Sequence, residues 1–420
     1  MLKNRDFQII IVSVLMMISC TSKSSKDSVQ LIDISSTLDT NQLQTNIQLP
    51  AKKNIIVGAN QTQRYLPLLK NKRIALVANQ TSVIFHNNSK RYTHLVDTLL
   101  DSNINIKKVF APEHGFRGIA DAGEFVKDGI DTKTNIPIIS LYGKNKKPSP
   151  KQLMEVDLVV FDIQDVGARF YTYISSLHYV MEACAEAKIP LIVLDRPNPN
   201  GHYIDGPILE PTHKSFVGMH PIPVVHGMTI GEYAQMINGE HWLNDDIICD
   251  LTVIKLKNYS HKSPYRLPIK PSPNLPNSKS INLYPSLCFF EGTNVNAGRG
   301  TSNQFQIYGS PFLDNRIYKF EYTPTSNVGA KYPKHKDLLC YGEDLRVLKP
   351  LHKIDLSYVI NAYNNTADKT SFFNDYFTTL AGTKALELQI KSGLSEEDIR
   401  KTWQEGLASF KKTRSRYLLY

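Results

Sequence analysis

The sequence predicts an α/β fold: a Rossmann-like parallel sheet domain followed by a second, smaller α+β C-terminal domain. Two observations lead there. From about residue 72 to 256, short apolar runs alternate with helical segments, the pattern of strands buried on both faces and joined by crossover helices. Then Pro264, Pro268, Pro271, Pro273 and Pro276 crowd one stretch. No regular element runs through such a stretch, so it marks a junction. Beyond it, short strands and helices mix.

The first strand is Ile74 to Ala78, wholly apolar. A helix over His94 to Leu100 leads to a second strand, Lys108 to Ala111, and Ile136 to Leu141 makes a third. Ser149-Pro150-Lys151-Gln152 then opens a helix: Ser caps it, Pro takes the first turn and Gln completes a capping box. Asp157 to Asp162 is the fourth strand. Ser175 to Lys188 is helical, with Leu177, Val180, Met181, Cys184 and Ala187 on one face. Pro190 to Asp195 is the fifth strand, Thr229 to Glu232 opens another capped helix, and Asp250 to Leu256 is a final strand. Near the carboxyl end, a helix from Ser395 puts Ile399, Trp403, Leu407 and Phe410 on one side.

Residues 1–20 have the layout of an export signal: Lys3 and Arg5, then an apolar run from Phe7 to Ile18 that is short for a membrane span. Met17-Ile18-Ser19-Cys20 resembles a bacterial lipobox, with Met where Leu is usual. Cys20 is therefore the expected lipidation site and membrane anchor, and the expected location is the bacterial envelope, periplasmic or associated with the outer membrane. Residues 21–52 are polar and suit a tether. The expected boundaries are 53–265 for the sheet domain and 266–420 for the smaller one. Cys184, Cys249, Cys288 and Cys340 lie in or beside apolar segments without CxxC spacing, which favours buried thiols over disulfides.

Hydrophobic residues make up 41% of 420, enough for a sizeable core. The net charge of +10 is spread along the chain rather than gathered beside aromatics, so nucleic acid is not an expected partner. No GxGxxG follows the first strand and no GxxxxGK[ST] occurs, which disfavours nucleotide binding. HExxH and GxSxG are absent. His220 and His226 flank a proline-rich turn and read as structural. No metal or cofactor is expected.

In an open parallel sheet, ligands bind beyond the carboxyl ends of the strands. Those ends read Asn79-Gln80-Thr81-Ser82, then Pro112 to Gly118, then Tyr142-Gly143, then Ile163 to Tyr171, then Arg196 to Gly201. Five successive ends carry polar, charged or aromatic groups with interspersed glycines, and together the rim offers carboxylates, Arg and aromatics. This is the equipment for cleaving a glycosidic bond. A carboxylic acid protonates the leaving oxygen, a second group stabilises or captures the oxocarbenium-like centre, and aromatic faces hold the ring.

The strings LVANQTS (76–82), FAPEHGFRG (110–118), DLVVFDIQDVGARFYTY (157–173), LDRPNPNG (194–201), PSPNLP (271–276), YPSLCFFEGTN (284–294), GRGT (298–301) and RYLLY (416–420) resemble the DUF1343 family. Its characterised members are NamZ-type exo-β-N-acetylmuramidases, glycoside hydrolase family 171. The resemblance spans about 55–420. It implies release of N-acetylmuramic acid from the non-reducing end of peptidoglycan fragments, and an active-site cleft between the two domains.

Glu113 is the first choice for general acid, because withdrawal from water favours the protonated carboxyl; its alternative is an ion pair with Arg117 or Arg169. For the second catalytic group, Asp165 is slightly preferred over Asp162, which could instead cap its strand. Glu291 and the substrate's own acetamido group are further possibilities. Arg117, Arg169 and Arg299 are candidates to pair with the lactyl carboxylate of muramic acid. His114, Tyr171, Tyr142 and Asn79 are candidate hydroxyl or acetamido contacts, and Phe170 and Tyr173 fit core or platform equally. Glu291 and Asn294 are expected to face the cleft from the second domain. The competing class is a surface lipoprotein that binds peptidoglycan fragments without cleaving them; a hydrolase for another acidic amino sugar is a third reading.

Overall fold

The apolar runs pair into one seven-stranded sheet. In spatial order its strands are Leu251–Ile254, Leu191–Leu194, Leu158–Asp162, Arg73–Ala78, Asn105–Ala111, Pro137–Ser140 and Gly129–Ile130. All neighbours run parallel except the two-residue edge strand Gly129–Ile130. The computed structural model describes residues 54–86, 91–116 and 128–420. Cys20 and the expected signal and tether segments lie outside the described residues.

The chain enters the sheet at its centre. It builds outward from Arg73–Ala78 to Pro137–Ser140, then crosses back to place Leu158–Asp162 on the other side, with Ala78 opposite Asp162. That reversal is the doubly wound order, and it opens a crevice beyond these two strand ends. The expected Rossmann-like sheet is therefore present.

Alternation along each strand divides the core. Ile74, Leu76, Val160 and Ile192 point to one face and pack on Tyr65, Leu69, Leu95 and Leu99. Ala75, Val77, Val159, Phe161 and Val193 point to the other, against Leu177, Val180 and Met181. This second layer continues without a break into Leu287, Phe289, Phe290, Tyr308 and Phe377. The smaller C-terminal part thus shares a core with one face of the sheet. It holds a three-stranded antiparallel sheet, with Cys340–Asp344 between Ile307–Ser310 and Phe320–Tyr322, surrounded by helices.

Both expected capping boxes form. The box at Thr229 opens the helix Ile230–Gly239. The box at Ser149 opens only Pro150–Leu153, because Glu155 takes φ +59° and the chain enters the next strand at once. The helix expected from Ser395 is two helices, Glu396–Lys401 and Gln404–Ser415. At the break, the Thr402 hydroxyl donates to the Ile399 carbonyl at 2.6 Å, a local bond that competes with the helical ladder. Ile399, Trp403, Leu407 and Phe410 are all buried, as their spacing requires. All four described cysteines are buried and free.

The carboxyl end returns to the sheet. Gly406 lies so close to Ile208 that a Cβ there would sit 2.7 Å from its Cγ1. The Tyr420 hydroxyl donates to Asp195 at 2.6 Å and accepts from the Leu256 amide at 2.7 Å. Asp195 is wholly buried, and that burial raises its pKa to about 6 against the pull of its hydrogen bonds from Tyr420, Gly231 and Thr229.

Candidate active site

The strand Asn105–Ala111 ends in a tight turn in which the Gly115 amide donates to the Pro112 carbonyl at 3.0 Å. His114 and Gly115 both take left-handed backbone angles, φ +70° and +74°. For a non-glycine residue this is uncommon and costs of order 1 kcal/mol, a form of strain that gathers at functional sites. The turn presents Glu113 and His114 to a cleft of about 310 Å3. Glu113 Oε2 accepts from the Thr172 hydroxyl at 2.7 Å, at the start of the helix Tyr173–Glu186. Behind it, Asn79 Nδ2 donates to the Tyr173 hydroxyl at 2.9 Å. Burial pushes the Tyr173 pKa up, so its hydroxyl stays neutral.

The facing wall comes from the C-terminal part. Glu291 sits on the 3-10 turn Cys288–Gly292, and Arg299 lies between Gly298 and Gly300. Both glycines have positive φ, +75° and +83°, which lets the loop fold tightly around the arginine. Arg299 Nη1 pairs with Glu291 Oε1 at 3.3 Å. Tyr284, Phe305 and Tyr376 complete this wall. Phe170 meets Tyr284 edge to face at 5.2 Å, and Tyr284 meets Phe305 at 4.9 Å. One cleft thus has two carboxyl groups in its lining, one from each part of the chain, and aromatic faces beside them.

Among the residues expected at the site, Glu113, His114, Tyr142, Tyr171, Glu291 and Arg299 line this cleft. Arg117 lies outside the described residues. The others point elsewhere. Asp162 has no solvent exposure and is clamped by Arg196, Nε to Oδ1 at 2.6 Å and Nη2 to Oδ2 at 2.8 Å. Burial pushes its pKa up against the pull of that cation. It fastens the end of its strand. Asp165 Oδ2 accepts from the Gly167 amide at 2.6 Å and lies 3.7 Å from His226, in the interior behind the cleft. Asn79 spends its amide on Tyr173 and Thr81. The Asn294 amide is buried with both polar atoms unpaired, away from the cleft lining.

Arg169 departs most from expectation. It is fully buried and has no carboxylate partner among the described residues. Its Nη1 donates to the Pro207 and Ile222 carbonyls at 2.9 and 2.7 Å, and its Nη2 to those of Leu380 and Ala381 at 3.0 and 2.6 Å. Burial lowers its pKa to about 9, which leaves it charged at neutral pH. The lining also includes Thr172, Phe216, Tyr284 and Tyr376, which were not anticipated. Thr172 and Tyr284 stand inside strings that had been singled out; Phe216 and Tyr376 carry no local signal.

A family model described as exo-beta-N-acetylmuramidase NamZ, N-terminal, matches residues 74–279, and its C-terminal counterpart matches 282–420. The chain belongs to the NamZ family. It is 41% identical over 382 residues to the peptidoglycan beta-N-acetylmuramidase NamZ of Bacillus subtilis (strain 168), an alignment covering 85% of this chain and 89% of that one. Two crystal structures of DUF1343 family proteins from Bacteroides fragilis NCTC 9343 share the fold. One is 48% identical, covering 88% of this chain and 99% of that one, with a TM-score of 0.80. The other is 29% identical, covering 87% and 99%, with a TM-score of 0.72. In NamZ terms, the cleft draws Glu113 and Tyr171 from the N-terminal region and Tyr284, Glu291 and Arg299 from the C-terminal one.

Arg169→Leu strands four buried carbonyls, and hydrogen bonds from charged donors contribute about 1.5–3 kcal/mol each. The expected result in denaturant unfolding is a loss of about 3–5 kcal/mol. A variant with wild-type stability and a raised KM would instead place this arginine on the substrate.

Proposed function

We propose that this chain is an exo-acting β-N-acetylmuramidase that releases N-acetylmuramic acid from the non-reducing end of peptidoglycan fragments. One observation carries the reading: within a NamZ chain, Glu113 from the N-terminal region and Glu291 from the C-terminal region line a single aromatic-walled cleft. Glu113, its carboxyl oriented by the Thr172 hydroxyl, is the acid that protonates the bridging oxygen. Glu291, ion-paired to Arg299, takes the second role in place of Asp165 or Asp162. It stabilises or captures the oxocarbenium-like centre, or directs water to it. Tyr171 and Tyr142 border the ring, and His114 reaches its polar substituents. Arg299 has donors to share between Glu291 and the lactyl carboxylate that marks muramic acid.

Removing a positioned acid or its partner costs roughly 10²–10⁴-fold in rate. Glu113→Gln and Glu291→Gln are each expected to lose at least 100-fold in kcat on a chromogenic β-N-acetylmuramide, with unchanged circular dichroism. A variant keeping a tenth of the wild-type rate loses its assigned role. NMR of the freshly released sugar identifies the stereochemical course.

Arg299→Gln should narrow the preference for β-N-acetylmuramides over β-N-acetylglucosaminides by ten-fold or more, measured as the ratio of kcat/KM. Equal loss on both substrates assigns Arg299 to Glu291 alone.

We also propose attachment to the cell envelope through a lipid on Cys20, on the strength of the basic, apolar and MISC sequence before it. Cys20→Ser should abolish incorporation of labelled fatty acid and move the chain from the detergent phase to the aqueous phase. Unaltered partitioning overturns this assignment.

A further inference from the structure

The cleft does not stop at Glu291 and Arg299. A second chamber, of about 320 Å3, opens beyond them, and those two residues and Tyr376 border both. Each chamber is near the lower end of the range for small-molecule sites, roughly 300–1,000 Å3. Each therefore suits a single ring better than an extended chain.

The second chamber has an unusual wall. Tyr332 is 91% exposed and Tyr376 is 40% exposed, and both border it. An aromatic ring left that open contributes nothing to the core; on a rigid segment it is a ready platform for an apolar ligand face. The segment carrying Tyr332 is well anchored. The Thr325 amide donates to the Gly300 carbonyl at 2.8 Å, and Asn296 Nδ2 donates to the Lys334 carbonyl at 2.8 Å. Pro333 packs so closely on Gly300 that a Cβ there would sit 2.6 Å from it. Holding the backbone that carries the ring before binding reduces the entropy lost when a ligand docks.

The charges point to a neutral occupant. Lys334 Nζ donates to the carbonyls of Phe290, Thr293 and Val295, and burial lowers its pKa to about 8. Its three donors are engaged with backbone. Arg299 pairs with Glu291 and, on the reading above, with the lactyl carboxylate of the ring in the first chamber. A polar, uncharged ring with an apolar face fits this chamber better than a carboxylate-bearing peptide.

We propose that this second chamber is the leaving-group subsite, taking the neutral amino-sugar ring on the reducing side of the cleaved bond with Tyr332 under its face. The assignment rests on the muramidase reading above and adds the residues that hold the departing sugar. Glu113 stands in the first chamber and Glu291 on the shared wall, so the scissile bond lies where the chambers meet.

The test compares kcat/KM on the disaccharide N-acetylmuramyl-β-1,4-N-acetylglucosamine with that on methyl β-N-acetylmuramide, whose aglycone has no ring. For Tyr332→Ala, the disaccharide-to-methyl ratio is expected to fall about ten-fold, mostly through KM. Tyr332→Phe should keep the wild-type ratio, because the contact needs a ring face rather than a hydroxyl. Equal change on both substrates, or no change on either, overturns the subsite. So does a Tyr332→Ala effect confined to peptide-bearing disaccharide, which would place a stem peptide in the chamber. A wild-type protein inactive on both muramides would fail the muramidase reading itself, a result distinct from any of these.

Discussion

One buried guanidinium sets the distance across the cleft. Arg169 lies in the strand-end loop directly before Phe170, Tyr171 and Thr172, which line one wall. Its donors reach the carbonyls of Leu380 and Ala381, at the end of the helix Asp375–Ala381 that carries Tyr376 on the other wall. The last carbonyls of a helix have no partner inside it, so the arginine satisfies groups that would otherwise be stranded in the core. A small residue makes the approach possible: a Cβ on Gly382, already at φ +71°, would sit 2.7 Å from Arg169 Nη2. Satisfying those carbonyls contributes stability, and the contact also fixes geometry: both walls bind the same planar fork, so neither shifts without breaking hydrogen bonds to it.

The Asp162–Arg196 pair does similar work one layer deeper. It closes the end of the strand Leu158–Asp162, and Arg196 Nη2 also donates to the Val83 carbonyl at 3.1 Å. The charges at the strand ends therefore fall into two groups. Asp162, Arg196 and Arg169 point into the protein and fix the loops. Glu113, Glu291 and Arg299 point into the cleft and are half-buried rather than sealed. Only the second group keeps the solvent access a substrate needs.

That division explains what the sequence could and could not convey. Strands came through because apolar runs such as Leu191–Leu194 permit little else, and the helix at Thr229 because its capping box is local chemistry. The edge of the sheet that bears the cleft followed from topology, since ligands gather beyond the carboxyl ends of the strands. Side-chain direction did not follow. In the run from Asp162 to Tyr171, an acid, an amide, a second acid and an arginine all resemble site residues, yet only the aromatic end of the run lines the cleft. Whether Arg169 turns outward or inward depends on the carbonyls of residues 380 and 381, more than 200 positions away. Phe216 and Tyr376 enter the cleft from segments with no pattern of their own, so only the closed fold reveals them.

The same constraint accounts for the glycines of the GRGT segment. Gly298 turns back so tightly that a Cβ would sit 2.7 Å from the Asn303 carbonyl, and Gly300 admits Pro333 on its other side. Between them, Arg299 is held on the wall that the two chambers share. Any side chain at position 300 would push away the segment bearing Tyr332 while disturbing the arginine that pairs with Glu291. The loop thus couples the carboxylate at the first chamber to the open tyrosine of the second. For cleavage of a terminal sugar this coupling is useful: the bridging oxygen must sit within reach of the acid, and its position is fixed only when the rings on both sides of it are held by parts that do not move independently.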